Sequence, residues 1–415
     1  MTQSSRTIEK HRRKSQVQKR QEELRHYSRH ILIVTAALLV LGILALFSAS
    51  TAPLAARGLF PYSTVLKQVM FIGISLLLAG FIGAAVLPKL SERALKVLVQ
   101  AAFAFSILML LAVLFTPLGQ EVNGALRWLR IGPVQFQPSE FLKVTLVLFI
   151  SSLLLTAGSN KMFTSFRTER GELMTIRRDR IQLIWVLLAV ILCLGLVAAQ
   201  PDLGTTAIVF AASIVTMFLV GVPARGFLTF AVLLVVLLGV GYLLKPQKYA
   251  YGFERIYTAF HPMEDITDEG YQIVQSMGAV SSGGLLGRGY MRSEQKMNRL
   301  PFQDRDFIFA IWVEETGLLG GLLVVGLFLY LAFLCLRVSV MLPFCFESVA
   351  IFALGFILSL QAIINVATNV GVLPVSGLTL PFFSSGGTSM LVSLLIIGTI
   401  LGLIRRKLPA PSGAQ

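Results

Sequence analysis

The chain has 415 residues, 55% of them apolar and only 14% charged, with a mean hydropathy of +0.77. Soluble domains carry about 45–50% apolar and about 25% charged residues, so this composition excludes a soluble globule, a coiled coil and a disordered chain. The net charge of +15 would point to nucleic acid in a soluble protein. Here the basic residues sit in short loops and tails between apolar runs, which is the signature of membrane orientation, and no nucleic-acid partner is expected.

Residues 1–30 are polar and basic, with Arg12, Arg13, Lys14, Lys19, Arg20, Arg25 and Arg29, and read as a cytoplasmic tail. The first apolar run, about 31–49, ends in Ser48-Ala49-Ser50, which looks like a signal-peptidase site. The long basic lead and the many later runs favour a retained first helix. Further spans are expected at about 66–87, 96–116, 139–157, 182–199, 203–221, 226–244, 307–335, 346–368 and 388–404, each near the 20 or so residues that a membrane helix needs. The run from 307 is long enough to tilt, or to break near Gly317 or Gly320. The expected fold is therefore an all-α integral membrane protein of about ten transmembrane helices. Residues 31–407 form the polytopic domain and 408–415 a short cytoplasmic tail.

Orientation follows from charge in the short loops. With the N-terminus inside, Lys89, Arg93 and Lys96 fall on the cytoplasmic side. So do Lys161 to Arg180, Arg225, Arg337 and the closing Arg405-Arg406-Lys407. The opposite loops near 50–65, 200–202 and 369–387 are almost free of Lys and Arg, the exception being 117–138 with Arg127 and Arg130. Both termini are thus expected in the cytoplasm. The largest non-spanning segment, about 246–306 between the seventh and eighth spans, then lies outside. Loops of that length are uncommon unless functional or disordered, and its aromatics, glycines and mixed charges favour an ordered, functional one.

Charges at a membrane boundary are costly and mark functional candidates. Glu140 and Lys143 open the fourth span three residues apart, close enough to pair on one helix face. The preceding loop adds Arg127 and Trp128, read as an interfacial cation–aromatic pair. Asp202, in Gln200-Pro201-Asp202-Leu203-Gly204-Thr205, is placed to cap the next helix. The run Gly283-Gly284-Leu285-Leu286-Gly287-Arg288-Gly289 follows no strand, so it reads as a turn that lets backbone approach a ligand or a neighbouring helix rather than as a dinucleotide motif. Asp306 stands immediately before an apolar span. It is either a helix cap or, with its pKa raised by desolvation, a general base. Within that span one of Glu314 and Glu315 is expected to face a polar cavity or a cation. The loop Gly377 to Thr388, rich in Gly and Ser, offers a turn whose amides suit an anion, or a simple capping turn. Three of the four histidines lie in the basic tail and no CxxC pair exists, so neither a histidine metal cluster nor a disulfide framework is expected.

In order along the chain stand Arg127-Trp128, Pro138-Ser139-Glu140-Phe141-x-Lys143, QPDLGT at 200–205, Gly270-Tyr271-Gln272 with Gln275-Ser276, GGLLGRG at 283–289, Asp306-Phe-Ile-Phe-Ala with Glu314-Glu315, and GLTLPFFSSGG at 377–387. This ordered set resembles the SEDS family (shape, elongation, division and sporulation), which includes FtsW, RodA and SpoVE, over roughly residues 30–407. The loop at 377–381 looks more like FtsW than RodA. The resemblance implies a ten-helix bundle in the bacterial cytoplasmic (inner) membrane. It implies a peptidoglycan glycosyltransferase that polymerises lipid II on the outer face, with a class B penicillin-binding protein, a transpeptidase, and other division or elongation membrane proteins as partners. Asp306 aligns with the family's essential aspartate. Arg127, Glu140, Lys143, Asp202, Arg255, Gln272, Gln275, Ser384 and Gly386 are the expected substrate-binding residues, with Arg127, Lys143 and Arg255 facing the leaving pyrophosphate. Divalent cations, Mg2+ or Mn2+, accompany much pyrophosphate chemistry, but the sequence shows no dedicated cage for one. The chain departs from the family pattern where Phe302 replaces a glutamate and Asp304 adds an acid, which makes Asp304 a rival base. It departs again where Ser385 replaces a tyrosine. A flippase of lipid-linked precursors and a non-catalytic scaffold are the competing readings. The gathering of charge at the outer boundary, away from the bilayer midplane, favours the enzyme.

Overall fold

The computed structural model describes residues 3–122, 125–132, 134–154, 165–167, 173–175, 180–200, 202–222, 224–244, 257–258, 261–264, 269–297 and 299–408. A helix occupies each of the ten predicted apolar runs. These are α1 (Gln3–Ala56), α2 (Ser63–Gly80), α3 (Glu92–Phe115), α4 (Pro138–Leu154), α5 (Arg180–Ala198), α6 (Leu203–Leu219) and α7 (Ala224–Leu244), then, after α8 (Glu269–Ser282) in the long segment, α9 (Ile308–Met341), α10 (Phe346–Asn369) and α11 (Gly387–Lys407). Among the described residues α1, α2, α3, α9, α10 and α11 are long and apolar enough to cross a membrane, and α5, α6 and α7 contain shorter apolar helices. The basic tail and the first span form one continuous helix, with Leu24 and Tyr27 already packed on the core.

Burial separates the centre of the bundle from its lipid-facing rim. The most apolar stretches of α10 and α11 are 67% buried, against 22% for α2 and 28% for α3. α10 packs on α4, α6, α8, α9 and α11, and α2 packs on α11. At the second of these crossings a Cβ on Gly83 would lie 2.3 Å from the Gly398 carbonyl, so the two backbones touch. Small residues of this kind let membrane helices approach where no hydrophobic drive exists between them. α2 reaches Gly83 through a π-helical turn, Phe81–Val86, an irregularity that lets the helix bend at the contact.

The loop before α4, expected to be irregular, folds as an antiparallel meander of β1 (Gly119–Val122), β2 (Ala125–Ile131) and β3 (Val134–Phe136). A second hairpin joins β4 (Ser165–Arg167) and β5 (Leu173–Thr175). In β2 Ala125 and Leu129 are buried, and the strand packs on α3. Arg127 and Trp128 follow one another in this strand, and the pairing with β1 slips by one residue there.

α9 breaks at Gly317, whose φ of 74° and ψ of −173° suit glycine. The break releases the amides of Leu318 and Leu319, which donate to the carbonyls of Gly284 and Leu285. The carbonyls of Glu314 and Glu315 in turn accept from the amides of Arg288 and Gly289. The glycine-rich run 283–289 is thus a turn seated in a neighbouring helix. A Cβ on Gly287 would collide with the Glu315 carbonyl at 2.2 Å.

Candidate active site

Asp306 lies in the turns 301–307 that lead into α9. It does not cap that helix. Phe307 holds the cap position, and the Ala310 amide is taken by Asn369 Oδ1 at 2.9 Å. The backbone of Asp306 is instead held firmly: its carbonyl accepts from Asn365 Nδ2 at 2.8 Å and Asn369 Nδ2 at 2.9 Å, both from the end of α10. The two preceding residues are clipped to the last loop, with the Ser385 amide on the Asp304 carbonyl at 2.8 Å and Ser384 Oγ on the Arg305 carbonyl at 2.6 Å. With its main chain fixed on two sides, Asp306 presents a half-buried carboxyl that has no hydrogen-bond partner among the described residues. Burial pushes its pKa up from 3.8 to about 6, and Asp304 and Asp202 push the same way against Arg305 and Arg127. A carboxyl with no described partner and a pKa raised to about 6 is suited to act as a general base.

Arg127 and Asp202 complete the cluster. Asp202 caps α6 by accepting the Thr205 amide on Oδ1 at 3.1 Å. Its Oδ2 accepts from Gln137 Nε2 at 2.9 Å, and Arg127 Nη1 stands 4.0 Å from Oδ1. Arg127 Nε donates to the Gln200 carbonyl at 3.3 Å. Gly377, at φ +65°, brings the last loop against the guanidinium, its Cβ position lying 3.4 Å from Nη1. Four segments therefore converge on one carboxyl and one guanidinium: the meander, the turn before α6, the turns before α9 and the last loop.

The FtsW/RodA/SpoVE family model, described as a cell cycle protein, matches residues 29–408. The chain belongs to this family. Stage V sporulation protein E of Bacillus subtilis is 31% identical over 376 residues, 90% of this chain and 96% of that one. A probable peptidoglycan glycosyltransferase FtsW of Saccharophagus degradans is 36% identical over 367 residues, 87% and 88% of the two chains. Among solved structures, a peptidoglycan synthase complex described as coordinating polymerization and crosslinking superposes with TM-score 0.65 at 29% identity, covering 90% of this chain and 96% of that one. The RodA crystal structure from Thermus thermophilus superposes with TM-score 0.61 at 26% identity, covering 92% and 97%. This FtsW/RodA/SpoVE chain is accordingly a multi-pass membrane protein.

Several residues expected to bind substrate in this family member are already committed within the protein. Lys143, 2% exposed, gives its three donors to Glu140 Oε1 and Oε2, both at 2.9 Å, and to Gln361 Oε1 at 2.6 Å. Gln361 passes the link to the Thr379 carbonyl at 2.9 Å. The expected pairing of Glu140 with Lys143 is present, and the pair faces inward with all three ammonium donors on protein acceptors. Ser384 Oγ both donates to Arg305 and accepts the Leu380 amide. The amides of Ser384, Ser385 and Gly386 go to the Leu380 carbonyl, the Asp304 carbonyl and Gln68 Oε1. Of the two readings of that turn, anion site or capping turn, these bonds fit the capping turn, because every one of those donors is turned toward protein. Gln272 and Gln275 lie half-buried on α8, whose Ser276 bonds the Asn369 carbonyl at 2.7 Å. Neither glutamine makes a hydrogen bond to the Asp306 cluster among the described residues. Arg255 lies outside the described residues. Among those described, no three His, Cys, Asp or Glu side chains converge to hold a metal ion.

Sequence alone did not single out Asn365, Asn369, Gln361, Gln68 and Gln137. All are neutral amides, and in an apolar helix such a residue is itself a signal, since an amide in lipid must find a partner.

Proposed function

We propose that this protein is a peptidoglycan glycosyltransferase that polymerises lipid II, FtsW-like in its division role, with Asp306 as the general base. The observation that carries the reading is the Asp306 carboxyl: held by its main chain, unpartnered among the described residues, half-buried and raised to about 6. The acceptor sugar's 4-hydroxyl loses its proton to this carboxylate as the oxygen attacks the anomeric carbon of the donor. The α-linked lipid pyrophosphate leaves from the opposite side and the new bond is β, a single displacement with inversion. Arg127, the member of the expected cation set that stands beside Asp306, faces the charge that develops on the pyrophosphate. A divalent cation, Mg2+ or Mn2+, would arrive with the pyrophosphate, since the described residues supply no ligand cage for it. Ten spans in the bacterial cytoplasmic membrane, with both termini in the cytoplasm and the site outside, agree with the distribution of Lys and Arg. A class B penicillin-binding protein as partner is supported by the likeness to a synthase complex that couples polymerization to crosslinking.

The test is strand synthesis from lipid II by the purified protein with a matched transpeptidase. Asp306→Ala, still folded, is expected to lose at least about 100-fold in rate. The wild-type rate should fall as pH drops through about 6, because only the ionised carboxylate accepts the proton. Undiminished polymer from Asp306→Ala overturns the assignment, and lipid II crossing vesicles without polymer would establish a flippase.

A further inference from the structure

The long outer segment carries a buried charge pair that the reaction does not use. Lys296, 2% exposed, donates to Glu315 Oε1 at 2.7 Å and to Ser48 Oγ at 2.9 Å, and Ser48 donates to the same Glu315 oxygen at 2.6 Å. The Ser293 amide adds a further bond to Glu315 Oε1 at 3.2 Å. On the adjacent residue, Glu314 accepts from Ser293 Oγ and from the Glu294 amide at 3.0 Å. Three elements meet here: α1 through Ser48, the outer segment through residues 293–296, and α9 through Glu314 and Glu315, just ahead of the break at Gly317. A lysine enclosed in a membrane protein costs several kcal/mol to desolvate, and it persists only where its partners are fully arranged.

The chain beyond Lys296 gives the pair its meaning. Ten residues on stands Asp306, and the path between is pinned at both ends, by Lys296 on α1 and α9 and by Asn365, Asn369, Ser384 and Ser385 around residues 304–306. Gln303 adds a bond to the Ala49 carbonyl, beside Ser48 on α1. We propose that Lys296 is a positioning residue for Asp306, its ammonium fixing the register in which the outer segment enters the site from α1 and the broken helix α9. This rests on the reading of Asp306 as the base. Glu315 and Ser48 act with Lys296 as a single anchor. Removing the anchor leaves the main-chain contacts of Asp306 intact but lets the segment that carries it slide and take up water. A displacement of about 1 Å at a reacting group costs on the order of a hundredfold in rate.

The experiment compares Lys296→Met, Lys296→Arg and the neutral pair Lys296→Met/Glu315→Gln in lipid II polymerisation, with each rate scaled to the folded, monodisperse protein. Lys296→Met alone leaves Glu315 buried without a counter-charge and is expected to lose stability, so the double variant is the deciding one. It should regain most of the thermal stability yet turn over about 10- to 100-fold more slowly than wild type, with KM for lipid II within about twofold, while Lys296→Arg keeps most of the rate. The acid limb of its rate profile should move to lower pH, because a wetter Asp306 ionises more readily, whereas a mere shortage of folded protein would lower the rate equally at every pH. A double variant that turns over at the wild-type rate, or a slow one whose acid limb stays in place, overturns the proposal. Asp306→Ala, assayed alongside, tests the base itself separately.

Discussion

Two charged clusters in this bundle are put to opposite uses. At Glu140 and Lys143 each donor of the ammonium has its acceptor, two of them on the carboxylate, and both side chains are sealed from water. At Asp306 the main chain is bonded and the carboxyl has no hydrogen-bond partner among the described residues. The first arrangement joins α4 to α10 and to the last loop; the second fixes a backbone and leaves its acid without a described partner. Charge at a membrane boundary is thus a weak indicator of chemistry until its partners are known, and the informative property is an ionisable group whose neighbours hold everything except the group itself. The sharpest way to break this contrast is Glu140→Gln, which leaves the buried Lys143 without a counter-charge. It should cost about 3–5 kcal/mol, read as early loss of monodispersity on heating, while Glu140→Gln/Lys143→Met should recover much of that loss. A Glu140→Gln protein that is as stable as wild type would mean that the pair is not an internal fastening.

At Asp306 the same logic predicts the reverse sign. The carboxyl titrates near 6 in the folded protein against 3.8 in the exposed state. Between about pH 4 and pH 6 the folded chain therefore keeps a proton that the unfolded chain has released, and stability falls as pH rises through that window. Above pH 6 the full cost of the charge is present. Asp306→Asn should accordingly be more heat-stable than wild type at pH 8, by about 1–2 kcal/mol, the rise from 3.8 to about 6 being discounted because the residue is only half-buried. The margin should shrink toward pH 4, where both proteins are neutral at this position. An inactive variant that is also more stable is what a base held ready at the expense of the fold should yield. Equal stability at both pH values would place the carboxyl in water.

The helices were legible because apolar runs of span length leave few alternatives. Local chemistry was legible for the same reason of proximity: Glu140 reaches Lys143 one helical turn away, Asp202 caps the helix it precedes, and Gly317 breaks the helix that contains it. What stayed hidden depends on distance along the chain. Ser48 and Glu315 are 267 residues apart, Gln68 and Ser384 are 316 apart, and no spacing rule connects them. Lys296 lies in a polar stretch where a lysine is ordinarily solvated, so its burial beneath the loop is a purely tertiary outcome. The meander at 119–136 was obscured because its strands are short and its alternation competes with a boundary loop's mixed composition. The last loop misled in another way. A run of Gly and Ser amides suits an anion equally well whether the amides point outward or inward, and only the acceptors at Leu380, Asp304 and Gln68 decide the question.

The smallest expected effect falls on Asp304, the acid nearest the proposed base in sequence. Its structural contribution is made by the main-chain carbonyl that holds the Ser385 amide, which a side-chain substitution leaves in place. Its carboxylate acts on Asp306 only through space, raising the proton affinity of the neighbour alongside the larger effect of burial. Asp304→Asn should therefore keep strand synthesis near the wild-type rate at about pH 7.5, where Asp306 is already ionised, and differ from wild type mainly on the acid side. There the falling limb should move to lower pH, since one negative neighbour has been removed and the ionised Asp306 becomes easier to form. The two acids are separated by the direction of these results. If Asp304→Asn abolished polymer while Asp306→Asn retained it, the roles of the two carboxylates would be exchanged and the unpartnered, half-buried group would not be the one that takes the proton.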